Sequence, residues 1–298
     1  MGLLNTLSFI AKHPLNKNYN NKLNSIWRFF SWQIGSRLVP GSVAVNFVNN
    51  SRLLVKTGMT GATMNIYTGL HEFEDMSFVL HFLRNSDVFI DVGANVGSYT
   101  VLAAAVVGAK CLSIEPIPNT FNSLLDNLHI NNIYDKVDPL NIGIASKNGN
   151  LKFTAGLDTT NHAVTSSEHY VDTIDVPVKK LDDVIGNLQP SMIKIDVEGF
   201  ETEVILGAEK VLSNDSLSAV IMEINPSGEH YGFNELTLHE KMLSNGFKPF
   251  SYSPFSRTFS LLESTNKNLG NTLYLRNIEQ VEERIKNAHA FVVNKQKI

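Results

Sequence analysis

From Phe73 onward, short apolar runs alternate with stretches in which apolar residues recur every three or four positions, the pattern of strands alternating with helices. It predicts strands over 88–92, 110–115, 137–142, 150–154, 174–178, 191–196, 218–223, 248–252 and 271–275, and helices over 74–83, 98–107, 118–130, 181–186, 200–213 and 235–245. Such alternation requires a parallel sheet with right-handed crossovers, so the fold class is α/β with helices on both faces. The last two strands are expected to close the sheet as an antiparallel hairpin. Earlier, 22–36 reads as a helix with Ile26, Phe29, Phe30 and Ile34 at helical spacing, Pro40-Gly41 breaks it, and 43–55 reads as strand. Residues 1–70 are thus an N-terminal cap on a domain over 71–276, and 277–291 a terminal helix with alternating charges. Aromatics around Trp27 and Trp32 read as a packing face.

The first strand of the domain runs into a glycine loop, Asp91-Val92-Gly93-Ala94-Asn95-Val96-Gly97, and then a run of small apolar residues suited to a helix. Gly93 and Gly97 lack the Cβ that would keep a ligand from the backbone, and Asp91 stands at the strand's carboxyl end. No lysine and Ser/Thr follow the second glycine as a phosphate-cradling loop requires, and the G-x-G-x-x-G of a dinucleotide site is absent. A carboxylate here repels pyrophosphate and attracts an amino group. Eighteen residues beyond Gly97, the next strand ends at Glu115, followed by Pro116. An acid there can accept two hydrogen bonds from a ribose diol, each contributing about 1.5–3 kcal/mol. Exclusion of phosphate together with an acid for ribose suits a nucleoside carrying a cationic amino acid, S-adenosylmethionine. The expected cofactor wall is Asp91, Gly93, Ala94, Asn95, Gly97, Glu115 and Pro116, with Ile142 at the end of the third strand.

Four blocks resemble the FkbM-type methyltransferases: the Asp91–Gly97 loop, Ile114-Glu115-Pro116, Ile193-Lys194-Ile195-Asp196-Val197-Glu198-Gly199-Phe200-Glu201, and Val220-Ile221-Met222-Glu223. They stand in the family's order and span about 67–274. The resemblance implies a Rossmann-like class I methyltransferase with a seven-stranded, mostly parallel sheet, and O-methylation of a hydroxyl on a sugar, a glycan or a natural product.

Asp196 and Glu198 follow the fourth strand, where two acids can bind substrate hydroxyls or accept the departing proton. Glu201 suits a cap for the next helix. In the polar stretch between strand segments, Asn161-His162 and the nearby His169 supply the side chain best fitted to deprotonate a hydroxyl near neutral pH, and the pair also resembles the family's pattern; His162 is the expected general base. Glu223 ends the fifth strand and faces the same crevice, with the turn from Asn225 onward as a wall. His71 and Tyr67 are expected to line it from the cap side, while Glu229 and His230 stay on the surface. No histidine pair has zincin spacing, and Asp196 with Glu198 alone is a poor cage for a divalent ion, so no metal is expected.

Composition narrows the class. With 298 residues, 43% hydrophobic and 18% charged, the chain can bury one sizeable core. A net charge of −4 gives no nucleic-acid footprint. Cys111 is the sole cysteine, excluding an internal disulfide and a thiolate cage. Residues 1–10 lack a basic start and a cleavage site, no apolar run reaches membrane-spanning length, and Met1-Gly2-Leu3-Leu4-Asn5-Thr6 matches only the loose myristoylation pattern. A soluble cytoplasmic enzyme is expected. A nicotinamide-dependent oxidoreductase and a non-catalytic nucleoside-binding module are the alternatives, opposed by the missing third glycine and by the presence of Asp196 and Glu198. The family resemblance implies that 1–70 and 155–172, which would cap the pocket, are where acceptors are distinguished: an acidic, aromatic groove for a glycan, a larger apolar cleft for a macrolide.

Overall fold

The apolar runs form the middle of one large sheet in the computed structural model, which describes residues 2–17, 19–154, 161–164, 172–224, 226–266 and 270–298. The chain enters through α1 (Leu3–Lys12) and α2 (Tyr19–Leu38), makes a hairpin of β1 (Val43–Asn46) and β2 (Arg52–Val55), and continues through α3 (Thr60–Thr68) and α4 (Phe73–Phe82). β3 (Val88–Val92), α5 (Ser98–Val101) with a π turn at Leu102–Val107, β4 (Lys110–Ile114), α6 (Pro118–Asn131) and β5 (Val137–Leu140) follow. β6 (Gly143–Ile144), β7 (Gly149–Thr154) and β8 (Thr173–Lys179) build a small side sheet, after which α7 (Leu181–Val184), β9 (Met192–Ile195), α8 (Glu201–Leu206), α9 (Glu209–Ser213) and β10 (Ala219–Glu223) return to the main one. α10 (Glu235–Ser244), β11 (Lys248–Ser253), β12 (Thr258–Leu261), β13 (Asn271–Leu275), α11 (Ile278–Lys286) and a short hairpin of β14 (Val292–Val293) and β15 (Gln296–Lys297) complete the chain.

The main sheet has eight strands in the order β12-β11-β13-β10-β9-β3-β4-β5, one more than expected. The five from β10 to β5 are parallel, and β11 and β13 pair antiparallel as anticipated. The extra strand is β12, an edge strand whose Leu261 faces solvent, so little apolar pattern marks it. Along β3, Phe89 joins one buried cluster while Ile90 and Val92 join the other; along β10, Ala219 and Ile221 separate in the same way from Val220 and Met222. Both faces are apolar because both are covered by helices, which explains the continuous apolar runs.

Other expectations are corrected. The helix over 200–213 breaks at Gly207, where a Cβ would stand 2.2 Å from the Ala145 carbonyl oxygen. The 43–55 strand is a hairpin, and α3 arises where none was expected. On α2 the inward face carries Phe29 and Trp32, whereas Trp27, Phe30 and Ile34 point to solvent. The N-terminal segment shares the main core: Ile10, Leu15, Val48 and Leu53 are fully buried in the cluster that holds Phe78 and Phe89. Two α6 side chains take the place of a third strand beside β2, with Leu54 N donating to Asn127 Oδ1 at 2.7 Å and Arg52 N to Asn131 Oδ1 at 2.9 Å.

From β3 the chain winds outward to β4 and β5, then returns to the other side of β3 with β9 and β10. This reversal opens a crevice at the carboxyl ends of β3 and β9. Among the described residues, no helix is long and apolar enough to cross a membrane.

Candidate active site

A cavity of about 240 Å³ fills that crevice. One wall is the loop after β3. Gly93 N and Ala94 N donate to the Ile114 carbonyl at 3.0 and 2.9 Å, folding the loop over the end of β4. Asn95 N then donates to Glu115 Oε2 at 3.0 Å and Ile117 N to Glu115 Oε1 at 2.9 Å. The carboxylate is thereby clamped in place, and each oxygen keeps a lone pair for a ligand. Burial raises the Glu115 carboxyl to about 7, against the pull of those two amides. Asp91 is 1% exposed; Thr100 Oγ1 donates to its Oδ2 at 2.7 Å, and Oδ1 has no partner.

The two glycines also permit close contacts within the protein. A Cβ on Gly93, at φ +78°, would lie 1.8 Å from the Asp196 carbonyl oxygen, so the residue lets the loops after β3 and β9 touch. A Cβ on Gly97 would meet Leu124 Cδ1 of α6 at 2.4 Å, and Gly97 does not reach the cavity wall.

The opposite end is built by β9 and β10. Asp196 N donates to Val92 O at 3.1 Å, and Lys194 Nζ donates to Asp196 Oδ2 at 2.7 Å. Lys194 is 3% exposed and lies 4.8 Å above the Tyr99 ring. Burial alone would lower its pKa, but Asp196, then Glu72 and Asp91, hold it above the usual lysine range. Behind it, Tyr99 Oη donates to Glu72 Oε2 at 2.8 Å, while Asn271 Nδ2 donates to Glu72 Oε1 at 2.7 Å and Asp75 Oδ2 at 3.0 Å. Glu198 lines the cavity from a left-handed backbone, φ +55°. Glu201 caps the turn, Oε1 accepting from Val197 N at 3.0 Å and Gly199 N at 3.3 Å.

Carboxylate oxygens of Asp196, Glu198 and Glu223 lie within 4.8 Å of one another. The sequence offered two of these acids side by side; the third arrives across the sheet from β10. Burial, then the charges of Asp196, Glu198 and Glu201, push the Glu223 carboxyl up to about 9, and its Oε2 has no partner. Burial and then Asp196 bring Glu198 to about 7. A hard divalent ion would find three oxygen donors here.

The cavity therefore gathers Asp91, Gly93, Ala94, Asn95, Glu115, Pro116, Ile142, Asp196, Glu198 and His71. His71 N donates to Asn65 Oδ1 at 2.7 Å, and burial lowers its ring pKa despite Glu72 and Asp196. Tyr67 does not join them. It is buried in the cap, its Oη accepting from Gln33 Nε2 at 3.0 Å and its ring edge-on to Phe29, so packing of α3 on α2 claims it. Glu223 reaches the carboxylate group without forming cavity wall. In 161–164, Asn161 lines the cavity, whereas His162 N donates to Thr154 Oγ1 at 3.1 Å and its ring stands 6.1 Å from His230. His169 and Asn225 lie outside the described residues.

Sequence reasoning missed Lys194, Tyr99, Glu72 and the α3 residues Thr60, Gly61 and Asn65, all on the cavity wall. Lys194 had a signal: a lysine amid the apolar run of a central strand must be paired. α3 had almost none, since Gly61 and its threonines lower helix propensity and only packing holds them helical.

A doubly wound sheet whose switch-point cavity lies between the glycine loop after β3 and a clamped acid just after β4 has the Rossmann-like fold. The chain belongs to the FkbM methyltransferase family, whose domain, Methyltransferase FkbM domain, matches residues 91–249. Hexuronic acid methyltransferase AglP of Haloferax volcanii is 28% identical over 166 residues, which cover 52% of this chain and 62% of that protein. The chain thus spans less than two thirds of AglP's length. Methyltransferase sdnD of Sordaria araneosa is 25% identical over 190 residues, covering 52% and 73%. Among solved structures, precorrin-6y C5,15-methyltransferase of Geobacter metallireducens matches at a TM-score of 0.38 and 11% identity over 70% of this chain and 88% of that one. TYW2 of P. horikoshii, in complex with MeSAdo, matches at 0.42 and 14% over 80% and 70%.

The family's cofactor, S-adenosylmethionine, fits the cofactor wall. The open oxygen of buried Asp91 awaits a donor such as an ammonium group, and the clamped Glu115 retains acceptor capacity for a ribose diol.

Proposed function

We propose that the protein transfers a methyl group from S-adenosylmethionine to a hydroxyl of a sugar or a hydroxylated natural product. The observation that carries this is one cavity with two chemically different ends: Glu115 and the Asp91–Gly97 loop at one, Asp196 and Glu198 at the other. The bound cofactor supplies a methyl group already activated on a sulfonium. Glu115 holds the ribose, and Asp91 meets the amino acid end.

At the other end Asp196, kept in place by Lys194, accepts a hydrogen bond from the acceptor. Glu198, with its carboxyl near 7, would take the hydroxyl proton as the methyl group passes from sulfur to the acceptor oxygen and S-adenosylhomocysteine is left, a value suited to a base working near neutral pH. Carboxylates that accept from neighbouring hydroxyls favour a polyhydroxylated acceptor over an apolar macrolide, in keeping with a relative named for a hexuronic acid. Residues 1–70 act as the cap that closes this cavity through α3.

Calorimetric titration with S-adenosylmethionine, S-adenosylhomocysteine, NAD and ATP tests the cofactor end, with Glu115→Ala as control. Micromolar binding of the first two alone, weakened in the control, supports the reading; binding of NAD or ATP instead overturns it. Transfer of labelled methyl to a panel of free sugars, uronic acids and macrolides then tests the acceptor class.

A further inference from the structure

Charge is divided unevenly along this chain. All 29 Asp and Glu residues lie from Glu72 onward, whereas seven Lys and Arg side chains precede it. The net charge of −4 conceals a strongly basic N-terminal segment on an acidic remainder. Of those seven cations, Lys12, Lys17, Arg37, Arg52 and Lys56 are exposed.

Within this segment α2 is apolar on two opposite sides. Phe29 and Trp32 pack inward. Leu23, Trp27, Phe30, Ile34 and Leu38, spaced by four, three, four and four residues, fall within about 80° of one another on the outward side. None of the five is covered: Trp27 is 73% exposed, Ile34 61% and Leu38 75%. Val39 and Pro40 prolong the exposed apolar surface past the end of the helix. Arg37 lies on the flank of this stripe. Thr57 Oγ1 donates to Ser36 O at 3.4 Å, which brings the neighbouring Lys56 to the same end.

A row of Leu, Trp, Phe and Ile facing water costs free energy unless something apolar covers it. Two copies of the chain meeting through this face would set two basic segments against each other. An anionic lipid surface instead offers an apolar layer for the stripe and negative headgroups for the lysines and arginines, with Trp27 at the depth where indole rings settle. We propose that the outward face of α2 docks the protein on an anionic bilayer surface, lying in the interface without crossing it. Because α2 packs on α3, whose Thr60, Gly61 and Asn65 line the cavity, docking there sets the cap side of the active site close to the lipid.

The chain's two tryptophans make the test direct, since Trp27 is exposed and Trp32 is buried. The full chain is mixed with vesicles containing roughly one third phosphatidylglycerol in phosphatidylcholine, or with phosphatidylcholine alone, and followed by flotation and tryptophan emission. Expected are partitioning onto the anionic vesicles at least about tenfold stronger than onto neutral ones, falling as salt rises, and a blue shift that Trp27→Phe abolishes. Ile34→Glu should lower vesicle binding at least about tenfold with an unchanged melting temperature, because the position contacts solvent in the folded protein. Arg37→Glu should weaken binding to anionic vesicles alone and keeps the test open if Ile34→Glu fails to fold. Equal binding to both vesicle types, binding to neither, or a concentration-dependent dimer that Ile34→Glu dissolves would each overturn the proposal, the last by assigning the stripe to a second copy.

Discussion

The two ends of the cavity use acids in opposite ways. At the β3 and β4 ends, Glu115 holds two backbone amides and Asp91 one hydroxyl, so geometry is fixed before a ligand arrives. At the β9 and β10 ends, carboxylate oxygens of Asp196, Glu198 and Glu223 gather within 4.8 Å of one another with Lys194 as the buried cation beside Asp196, and burial, then the neighbouring acids, pushes the Glu223 carboxyl up to about 9. We propose that the first end holds the cofactor and the second holds and moves a proton.

If that division is right, mutations at the two ends separate affinity from turnover. Glu198→Gln should lower kcat by about 10²–10⁴-fold while leaving the dissociation constant for S-adenosylmethionine nearly unchanged. The pH profile sharpens the point. Wild-type turnover should fall about tenfold per unit below pH 7, as Glu198 is protonated, and that limb should be absent in the variant. His162→Ala, which removes no cavity-lining group, should keep kcat within about threefold; a loss matching that of Glu198→Gln would move the base to His162.

The junction between the ends is next in size. Gly93→Ala should cost on the order of 2–5 kcal/mol in chemical denaturation, because the new Cβ meets a backbone carbonyl at 1.8 Å in a left-handed conformation. Gly97→Ala should cost about 1–2 kcal/mol, since the end of the Leu124 side chain can move aside. Glu115→Ala should weaken S-adenosylmethionine about 10²–10⁴-fold with little change in the rate of bound complex, read by calorimetry and single turnover.

Stability at the β9 and β10 end gives a last test. Glu223 rises from an ordinary 4.5 to about 9 on folding, through burial and its acidic neighbours. The folded state therefore keeps a proton that the unfolded chain releases. This contribution is full below about pH 4.5 and lost as pH rises through about 9. Melting temperatures measured from pH 6 to 9.5 should fall less steeply for Glu223→Gln than for wild type; equal slopes would mean that the crowded end does not hold its protons.

Much of the cofactor end was legible beforehand because it is local. A strand, a glycine turn and an acid at the next strand's end are each written in a few consecutive residues, and β3 and β13 fell on the expected residues. The acceptor end was half legible. Asp196 and Glu198 stand two apart in sequence and Glu223 was expected at the same crevice as a strand-end acid, but their approach to within 4.8 Å depends on β9 and β10 pairing in parallel register with Ile195 beside Met222. A second reason for the glycines was not legible in the sequence: at Gly93 freedom from a Cβ lets two loops touch, and at Gly97 it lets the loop pack on α6.

The sequence by itself determined the α/β alternation, the glycine loop after β3 and the acid at the end of β4, since those rest on periodicity and on side chains near one another along the chain. Tertiary structure decided how closely Asp196, Glu198 and Glu223 approach one another, which side of α2 is buried, that a helix forms at Thr60–Thr68, and that Tyr67 belongs to the cap's packing and not to the cavity. Each of these depends on what a distant segment brings alongside, and no local pattern encodes that.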